Sequence, residues 1–276
     1  MKKSVYILGG VFLLFFGCSD TSNNNSYSPP VYNEILTVNL PDSFTLTLYS
    51  ADTDSLTYAY NNVHFKVWKN SATQNGGYLK VYPKMRMTPH ITHSTPVSDS
   101  FAYNSSTGFF SGYIILNMQV VPPDLVWKTK FTYVDQNGIS HEADSIPLYT
   151  SYRQERQLKL FYDLSDSANY TLTLVKPFNP SKGLNDMVLL LHGSTDLNLQ
   201  FEQIRDAQMY INVYKQDSLY STNSNINPSI DADGYYKGKI NIPHRGSWIV
   251  GDTIMYNGRV ITNNPPPLPE FNFEIR

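Results

Sequence analysis

Two methionines and two histidines lie within nine residues of one another in the first half of the sequence. They are Met85, Met87, His90 and His93. Thioether sulfur suits Cu(I), and imidazole suits copper in either redox state. On a β-strand the two sulfur atoms project to one face, and Pro89 then turns the chain so that both imidazoles can approach the end of that strand. Met118 is a fifth candidate ligand if its strand is a neighbour.

The same side chains also have a purely structural interpretation. Methionine fills irregular gaps in hydrophobic cores. Histidines beside serine and threonine, as in His93-Ser94-Thr95, can close turns through local hydrogen bonds. The cluster therefore favours either a copper site or a packed strand followed by a turn.

Other site chemistry is poorly represented. Cys18 is the single cysteine, so a blue-copper site and a cysteine-ligated zinc site are excluded from the body of the chain. His192-Gly193-Ser194 lacks the second glycine and the following helix of a nucleophile elbow. Asp231–Gly234 lacks the later glutamate of a calcium loop. We therefore expect a protein that is not an enzyme.

The first residues read as a targeting segment. Lys2 and Lys3 precede an apolar run over residues 7–16, and Gly17-Cys18 precedes a polar string of Ser, Thr and Asn. This resembles a bacterial lipoprotein signal, which implies that residues 1–17 are removed and that Cys18 is acylated. An ordinary secretory signal is the alternative. The prediction is a lipid-anchored cell-envelope protein, at the outer membrane, with periplasmic or surface-exposed domains.

The charge pattern argues against a nucleic-acid partner. The chain has 276 residues with a formal net charge of -2, and charged residues make up 16% of it. No basic block or stripe stands out, whereas a nucleic-acid-binding domain usually carries one. The polar segment over residues 18–33 reads as a flexible tether that joins the membrane to the folded part.

The body of the chain contains two copies of one unit. Phe44–Leu48 recurs as Tyr170–Leu174, and Gly108–Ile114 recurs as Gly234–Ile240, both 126 residues later. Further along, Trp127 corresponds to Trp248, and the pair Asn137-Gly138 to Asn257-Gly258. Two separate matches at one spacing indicate a tandem duplication. The predicted domains are 34–151 and 152–276.

The period within each unit is two, which is typical of half-buried β-strands. Ser43–Tyr49 alternates polar and apolar residues, and the Asn-Gly pairs predict hairpins with type I′ turns. Only Leu199–Gln208 shows weak helical character. The predicted fold class is all-β, with two tandem immunoglobulin-like β-sandwiches after the signal peptide.

One family resemblance rests on motifs of the first unit. These are Tyr82-Pro83-Lys84-Met85-Arg86-Met87, His93-Ser94-Thr95-Pro96, Gly108-Phe109-Phe110-Ser111-Gly112 and Trp127. The pattern resembles the YtkA-like/FixH-like envelope proteins over Leu40–Tyr133, and loosely over Tyr170–Tyr256. The resemblance implies an immunoglobulin-like sandwich, copper handling and a partner in the assembly of haem–copper oxidases.

The second unit provides an internal control for the copper hypothesis. Its equivalent segment, Tyr210–Lys215, keeps the strand pattern without a thioether or imidazole group. Any metal is therefore expected in the first unit, although the loss also agrees with a structural role for the cluster. The alternative function is a protein- or glycan-interaction module without metal, with aromatic faces such as Tyr235 and Tyr236 making the contacts.

Overall fold

The computed structural model describes residues 31–196, 199–218, 220–262 and 268–276. The signal segment 1–17, Cys18 and most of the tether lie outside the described residues. The described part of the chain contains strands and loops and no α-helix, so it offers no helix suited to crossing a membrane. The helical character expected for Leu199–Gln208 is wrong, because Glu202–Gln203 forms a short strand there.

The first half of the described chain forms twelve strands. Their bounds are β1 Asn33–Leu40, β2 Phe44–Ser50, β3 Leu56–Thr57, β4 Ala59–Lys69, β5 Ala72–Thr73, β6 Tyr78–Thr88, β7 Ile91–His93, β8 Phe101–Asn104, β9 Phe109–Leu116, β10 Trp127–Val134, β11 Ser140–Leu148 and β12 Thr150–Ser151. Hydrogen bonds join eight of them in the order β1-β2-β4-β9-β8-β6-β10-β11, with every neighbouring pair antiparallel. The short strands β5 and β7 pair with β4 and β6, and β3 and β12 form a separate parallel pair.

The second half of the described chain forms ten strands. Their bounds are β13 Leu158–Asp163, β14 Ala168–Lys176, β15 Gly183–Ser194, β16 Glu202–Gln203, β17 Gln208–Lys215, β18 Ile226–Ile230, β19 Tyr236–Ile242, β20 Gly246–Tyr256, β21 Arg259–Val260 and β22 Glu270–Ile275. One sheet has the order β13-β14-β15-β19-β18, and in the other β20 pairs with β17 and β22.

The strand orders of the two halves correspond position by position. The order β1-β2-β4-β9-β8 matches β13-β14-β15-β19-β18, and β6-β10-β11 matches β17-β20-β22. The halves differ at one pair of strands. In the first half β6 pairs with β8. Their equivalents in the second half, β17 and β18, are linked by a hydrogen bond from the Ile211 amide to Asn227 Oδ1 at 3.0 Å. Each half is thus a β-sandwich of the immunoglobulin-like type, as the sequence predicted.

Each sandwich buries its own hydrophobic core beneath an equivalent tryptophan. Trp127 and Trp248 are both fully buried, and each indole N–H donates to a backbone carbonyl, that of Met118 at 3.1 Å and of His244 at 3.0 Å. A buried indole keeps its hydrogen bond in this way while its ring fills the space between the sheets. The two repeats therefore share their central packing residue and its polar partner.

A third core joins the two sandwiches. Its buried residues come from both halves: Ala59, Tyr60, Tyr113, Ile115, Leu158 and Leu190. Two polar contacts cross the same boundary, between the hydroxyls of Tyr60 and Tyr235 at 3.2 Å and between Tyr113 Oη and His192 Nε2 at 2.9 Å. Each large apolar side chain buried here contributes about 1.5–3 kcal/mol. The described part of the chain is therefore one packed unit.

The two predicted type I′ turns differ in the structure. At Asn257–Gly258 both residues have positive φ, 50° and 76°, which confirms the prediction. At Asn137–Gly138 the predicted hairpin forms between β10 and β11, but the φ of Gly138 alone is positive, so the predicted turn type is wrong there. The reason is local: Asp135 Oδ1 accepts the amides of Asn137 and Ile139 at 2.8 and 3.0 Å, which stabilises a different loop.

Asp252 on β20 is an ionisable group inside the second core. Its side chain is fully buried, and neither carboxyl oxygen has a hydrogen-bond partner among the described residues. Burial disfavours the charged form and raises the pKa of Asp252 well above its usual value. Because the unfolded chain ionises first as pH rises, this group makes the fold less stable above the pKa of the unfolded state, near 3.8.

We predict that Asp252→Asn raises Tm at pH 7.5 and changes it much less at pH 4, where the wild-type carboxyl is protonated in the folded protein. Asparagine has nearly the same size without an ionisable group, and each kcal/mol of ionisation penalty that it removes corresponds to about 2–4 °C in a chain of this size. Differential scanning calorimetry at both pH values tests this, with the exposed Asp217→Asn as control. Equal Tm changes at both pH values would contradict the prediction.

Candidate functional site

The two methionines of the predicted cluster lie on the inner face of β6. Met85 is opposite Trp127 on β10 and opposite His93 on β7. Its side chain is fully buried in the first core, and Met87 is half-buried and packs against the same core. Because alternate residues of a strand share a face, the spacing that aligns the two sulfur atoms also directs both toward the core. Met85 has no path to solvent.

His93 and Met118 line one cleft. This cleft has a volume of about 240 Å³ and lies where the two sandwiches meet. The first sandwich contributes His93, Asn117 and Met118, and the second contributes residues of β13 and β14: Leu160, Phe161, Asn169, Tyr170 and Thr171. Two of the five predicted ligands therefore line one cleft, whose opposite wall belongs to the second sandwich.

Asn117 lines this cleft and carries a buried, unpaired oxygen. The residue is 8% exposed, and its Oδ1 has no hydrogen-bond partner in the described structure. Buried polar atoms are rarely left unpaired. The opposite wall is aromatic, with the rings of Phe161 and Tyr170 stacked at 5.3 Å. The residues of the first sandwich that a ligand in the cleft would meet therefore include one histidine and one methionine.

The residues of the cluster fit copper only in part. His93 and Met118 form a soft pair of the type that Cu(I) accepts. His90 is exposed at the turn between β6 and β7, where its amide donates to Thr88 Oγ1 at 3.3 Å. A four-ligand site that includes Met85 requires the core to open. Among the described residues, no group of three or more His, Cys, Asp or Glu side chains is arranged to hold a metal ion.

Three other histidines are bound into the packing. His64 Nδ1 is 2.8 Å from Ser111 Oγ, and burial lowers the His64 pKa. His141 lies between Asp42 and Asp135, 3.0 and 3.4 Å from their carboxylates. The imidazoles of both residues thus make polar contacts with neighbouring strands and turns.

The third histidine is His192, which belongs to the segment His192-Gly193-Ser194 that was compared with a nucleophile elbow. Its Nε2 is hydrogen-bonded to Tyr113 across the boundary between the sandwiches. Burial lowers the pKa of His192 to about 3, so the ring is neutral at physiological pH. Ser194 Oγ donates to Asp196 Oδ1 at 2.8 Å. His192 therefore serves the joint between the domains.

The structure also reveals a cationic groove that the sequence analysis missed. Lys84 and Arg86 on β6 and Lys128 on β10 line it, together with Thr92, Pro123, Asp124 and Val126, around a volume of about 400 Å³. The available signal was the alternation Lys80-x-Tyr82-x-Lys84-x-Arg86, which places these side chains on one face of a strand. Lys128 is added by strand pairing, which the sequence does not show.

Another expectation is corrected by the packing of the second sandwich. Tyr235 and Tyr236 were candidates for contacts with a partner. Tyr236 is fully buried, and its hydroxyl donates to the Ile204 carbonyl at 3.1 Å. Tyr235 bonds Tyr60 at the boundary between the sandwiches. Both aromatic rings are occupied within the chain.

Comparisons with known proteins give weak likenesses. No protein-family model matches the chain, and no curated protein matches it. Among solved structures, domains 4 and 5 of the S-layer protein SbsC are 10% identical with a TM-score of 0.23, covering 86% of this chain and 99% of that one. A marsupial T cell receptor is 8% identical with a TM-score of 0.22, covering 90% and 98%.

An I-band fragment of titin is 8% identical with a TM-score of 0.20, covering 90% of this chain and 66% of that one. Likenesses of this strength carry no argument about the site or its ligand. The assignment of two immunoglobulin-like sandwiches therefore rests on the strand order and the shared cores. The resemblance to YtkA-like/FixH-like proteins stays a prediction from the motifs.

The arrangement of the methionines predicts their order of oxidation by hydrogen peroxide. Met118 and Met87 are half-buried, whereas Met85 is fully buried, so we expect Met118 and Met87 to react well before Met85. Peptide mass spectrometry over a time course tests this, with the core residues Met187 and Met209 as slow controls. Oxidation of Met85 as fast as Met118 would show that the core opens at this site.

Proposed function

We propose that this protein is a lipid-anchored cell-envelope protein that acts by binding and not by catalysis. The observation that carries the proposal is the third core, in which Tyr113 and Leu190 join the two sandwiches into one unit and His192 hydrogen-bonds Tyr113 beside them. A binding protein gains from surfaces that are held in a fixed arrangement, because less conformational entropy is lost on association.

The burial and hydrogen bonds of the histidines support a role without catalysis. A general base must be within reach of a substrate proton and have a pKa near the working pH. His192 has its pKa lowered to about 3 by burial, and His64 is bonded to Ser111. These groups contribute to packing, and the sequence motifs for hydrolysis or calcium binding are incomplete.

The location is supported by the N-terminal sequence. Gly17-Cys18 after the apolar run resembles a lipoprotein signal, and the polar segment up to Tyr32 leads directly to β1. Two acyl chains and an acylated amine hold a protein firmly at a membrane, whereas one chain gives marginal binding. The two sandwiches would then face the periplasm or the cell surface from the outer membrane.

We predict that the full-length chain, expressed in a bacterium, is labelled by radioactive palmitate and fractionates with membranes. Cys18→Ser removes the acyl acceptor, so labelling is lost while the chain is still synthesised. Ser19→Ala is the matched control and keeps the label. An unlabelled wild-type protein in the soluble fraction would contradict the proposed anchor.

A second candidate function, copper binding, is favoured by one observation: His93 and Met118 line the same cleft. The pair would hold Cu(I) through imidazole nitrogen and thioether sulfur. Bound copper would supply an exchangeable cargo ion. By the family resemblance, the receiver would be a partner in the assembly of haem–copper oxidases.

We predict that, if copper is the ligand, His93→Ala with Met118→Ala weakens Cu(I) binding at least about tenfold, since both soft donors are lost. Competition against a coloured Cu(I) chelator measures this. His244→Ala with Met255→Ala, in the second sandwich, removes the same two residue types as a control. Wild-type affinity in the double variant of the cleft would overturn this site.

A further inference from the structure

Three cations of the first sandwich line a groove without neutralising partners. Lys84 and Lys128 are directly opposite each other in the β6–β10 ladder, and Arg86 is two residues further on the same face as Lys84. Like charges directly opposite one another destabilise a sheet. Within the described chain, no carboxylate forms an ion pair with any of the three cations. The placement is unfavourable for folding alone.

The local contacts keep these charges at the surface. Lys84 Nζ lies 4.6 Å from the ring centre of Tyr82. The Arg86 guanidinium donates to the carbonyls of Thr88 and Pro89 at 3.3 and 3.1 Å. Neither contact removes positive charge. Asp124 also lines the groove and partly offsets the field, so the groove keeps an excess of positive charge.

The acidic groups on β11 lie away from the groove cations. Lys130 on β10 forms an ion pair with Glu142 on β11 at 2.7 Å. Asp144 follows Glu142 on the same exposed side of β11. The salt bridge therefore balances the Lys130 end of the strand pair, whereas the end that holds Lys84 and Lys128 stays cationic.

Two exposed apolar side chains border the groove. Ile91 is 48% exposed and precedes Thr92, a lining residue, at the start of β7. Val121 is 56% exposed in the loop that leads to Pro123, another lining residue. A cationic surface with apolar tips is the combination that binds at the headgroup level of a bilayer.

The strand directions place the tether at the same end. Every neighbouring pair from β1 to β10 is antiparallel, so β10 runs parallel to β1 and β6 runs opposite to both. The start of β1 at Asn33, the end of β6 at Thr88 and the start of β10 at Trp127 therefore share one end of the sandwich. The first strand of the described chain therefore begins at the end of the sandwich that carries the groove.

We propose that the groove formed by Lys84, Arg86 and Lys128 docks on the anionic lipid headgroups of the membrane that holds the protein. The location of this contact rests on the proposed lipid anchor. Each cation near an anionic bilayer adds to its attraction, and Ile91 and Val121 contact the acyl boundary. An anionic polysaccharide would interact with the three cations but would give Ile91 and Val121 no apolar surface to contact.

The test uses the chain from Ser19 onward, which contains every described strand and carries no acyl group. Co-sedimentation with vesicles of phosphatidylcholine alone is compared with vesicles that also contain phosphatidylglycerol. We expect binding to the anionic vesicles only, and weaker binding as salt rises, because exposed charges are screened. The triple variant Lys84→Gln, Arg86→Gln and Lys128→Gln is expected to lose at least about tenfold in partitioning.

The matched control removes the same number of charges elsewhere, through Lys69→Gln, Lys182→Gln and Lys215→Gln, and is expected to bind as the wild type does. A further variant, Ile91→Ser with Val121→Ser, is expected to weaken binding while keeping its salt dependence. The groove variant relieves the opposition of Lys84 and Lys128, so its Tm is expected to be equal or higher, which shows that it is folded.

Two results would overturn the inference. One is equal loss of vesicle binding in the groove variant and the control variant, which would indicate a general charge effect. The other is groove-dependent binding to polygalacturonate in the absence of any binding to anionic vesicles. Failure of palmitate labelling at Cys18 would instead overturn the anchor alone, because vesicle binding is measured on protein without acyl groups.

Discussion

The apolar contact between the two sandwiches constrains most of the rest of the molecule. The outer face of β14 and β15 would normally meet water, yet Thr173 and Leu190 on that face are fully buried. They are buried because the face packs near β4 and β9 of the first sandwich, around Tyr113. Once these surfaces are joined, the polar groups beside them, including His192, must find partners across the boundary.

This joint also decides what the candidate ligands can reach. Asn117 and Met118 follow β9, the strand that supplies Tyr113 to the third core, so the second sandwich forms the far wall of their cleft. His93 meets them there, while Met85 is held on the inner face of the same strand pair. Met85 and His93 are paired on one face, so the residues of this short sequence cluster divide between core, cleft and solvent because β7 and its turn lie at the edge of the sheet whereas β6 lies within it.

Alternating polarity made the strands and the duplication predictable, because the environment of a strand residue is set mainly by its parity. The alternating segment Ser43–Tyr49 agrees with β2, and the repeated tryptophans occupy equivalent buried positions. The loop at Asn137 was not predictable from its Asn-Gly pair, since the carboxylate of Asp135 selects another turn. Local competition among side chains is poorly visible in a pattern of residue types.

The two related sandwiches could be predicted from the sequence, because period-two alternation and turn residues are local patterns that span only a few positions. Three relations became visible in the folded chain alone. Met85 is fully buried, His93 and Met118 line one cleft, and Lys84 is paired with Lys128. The physical reason is that these relations join residues from separate strands. Strand pairing and the packing of one sandwich on the other depend on the whole chain at once, because distant contacts form only when the shared cores exclude water.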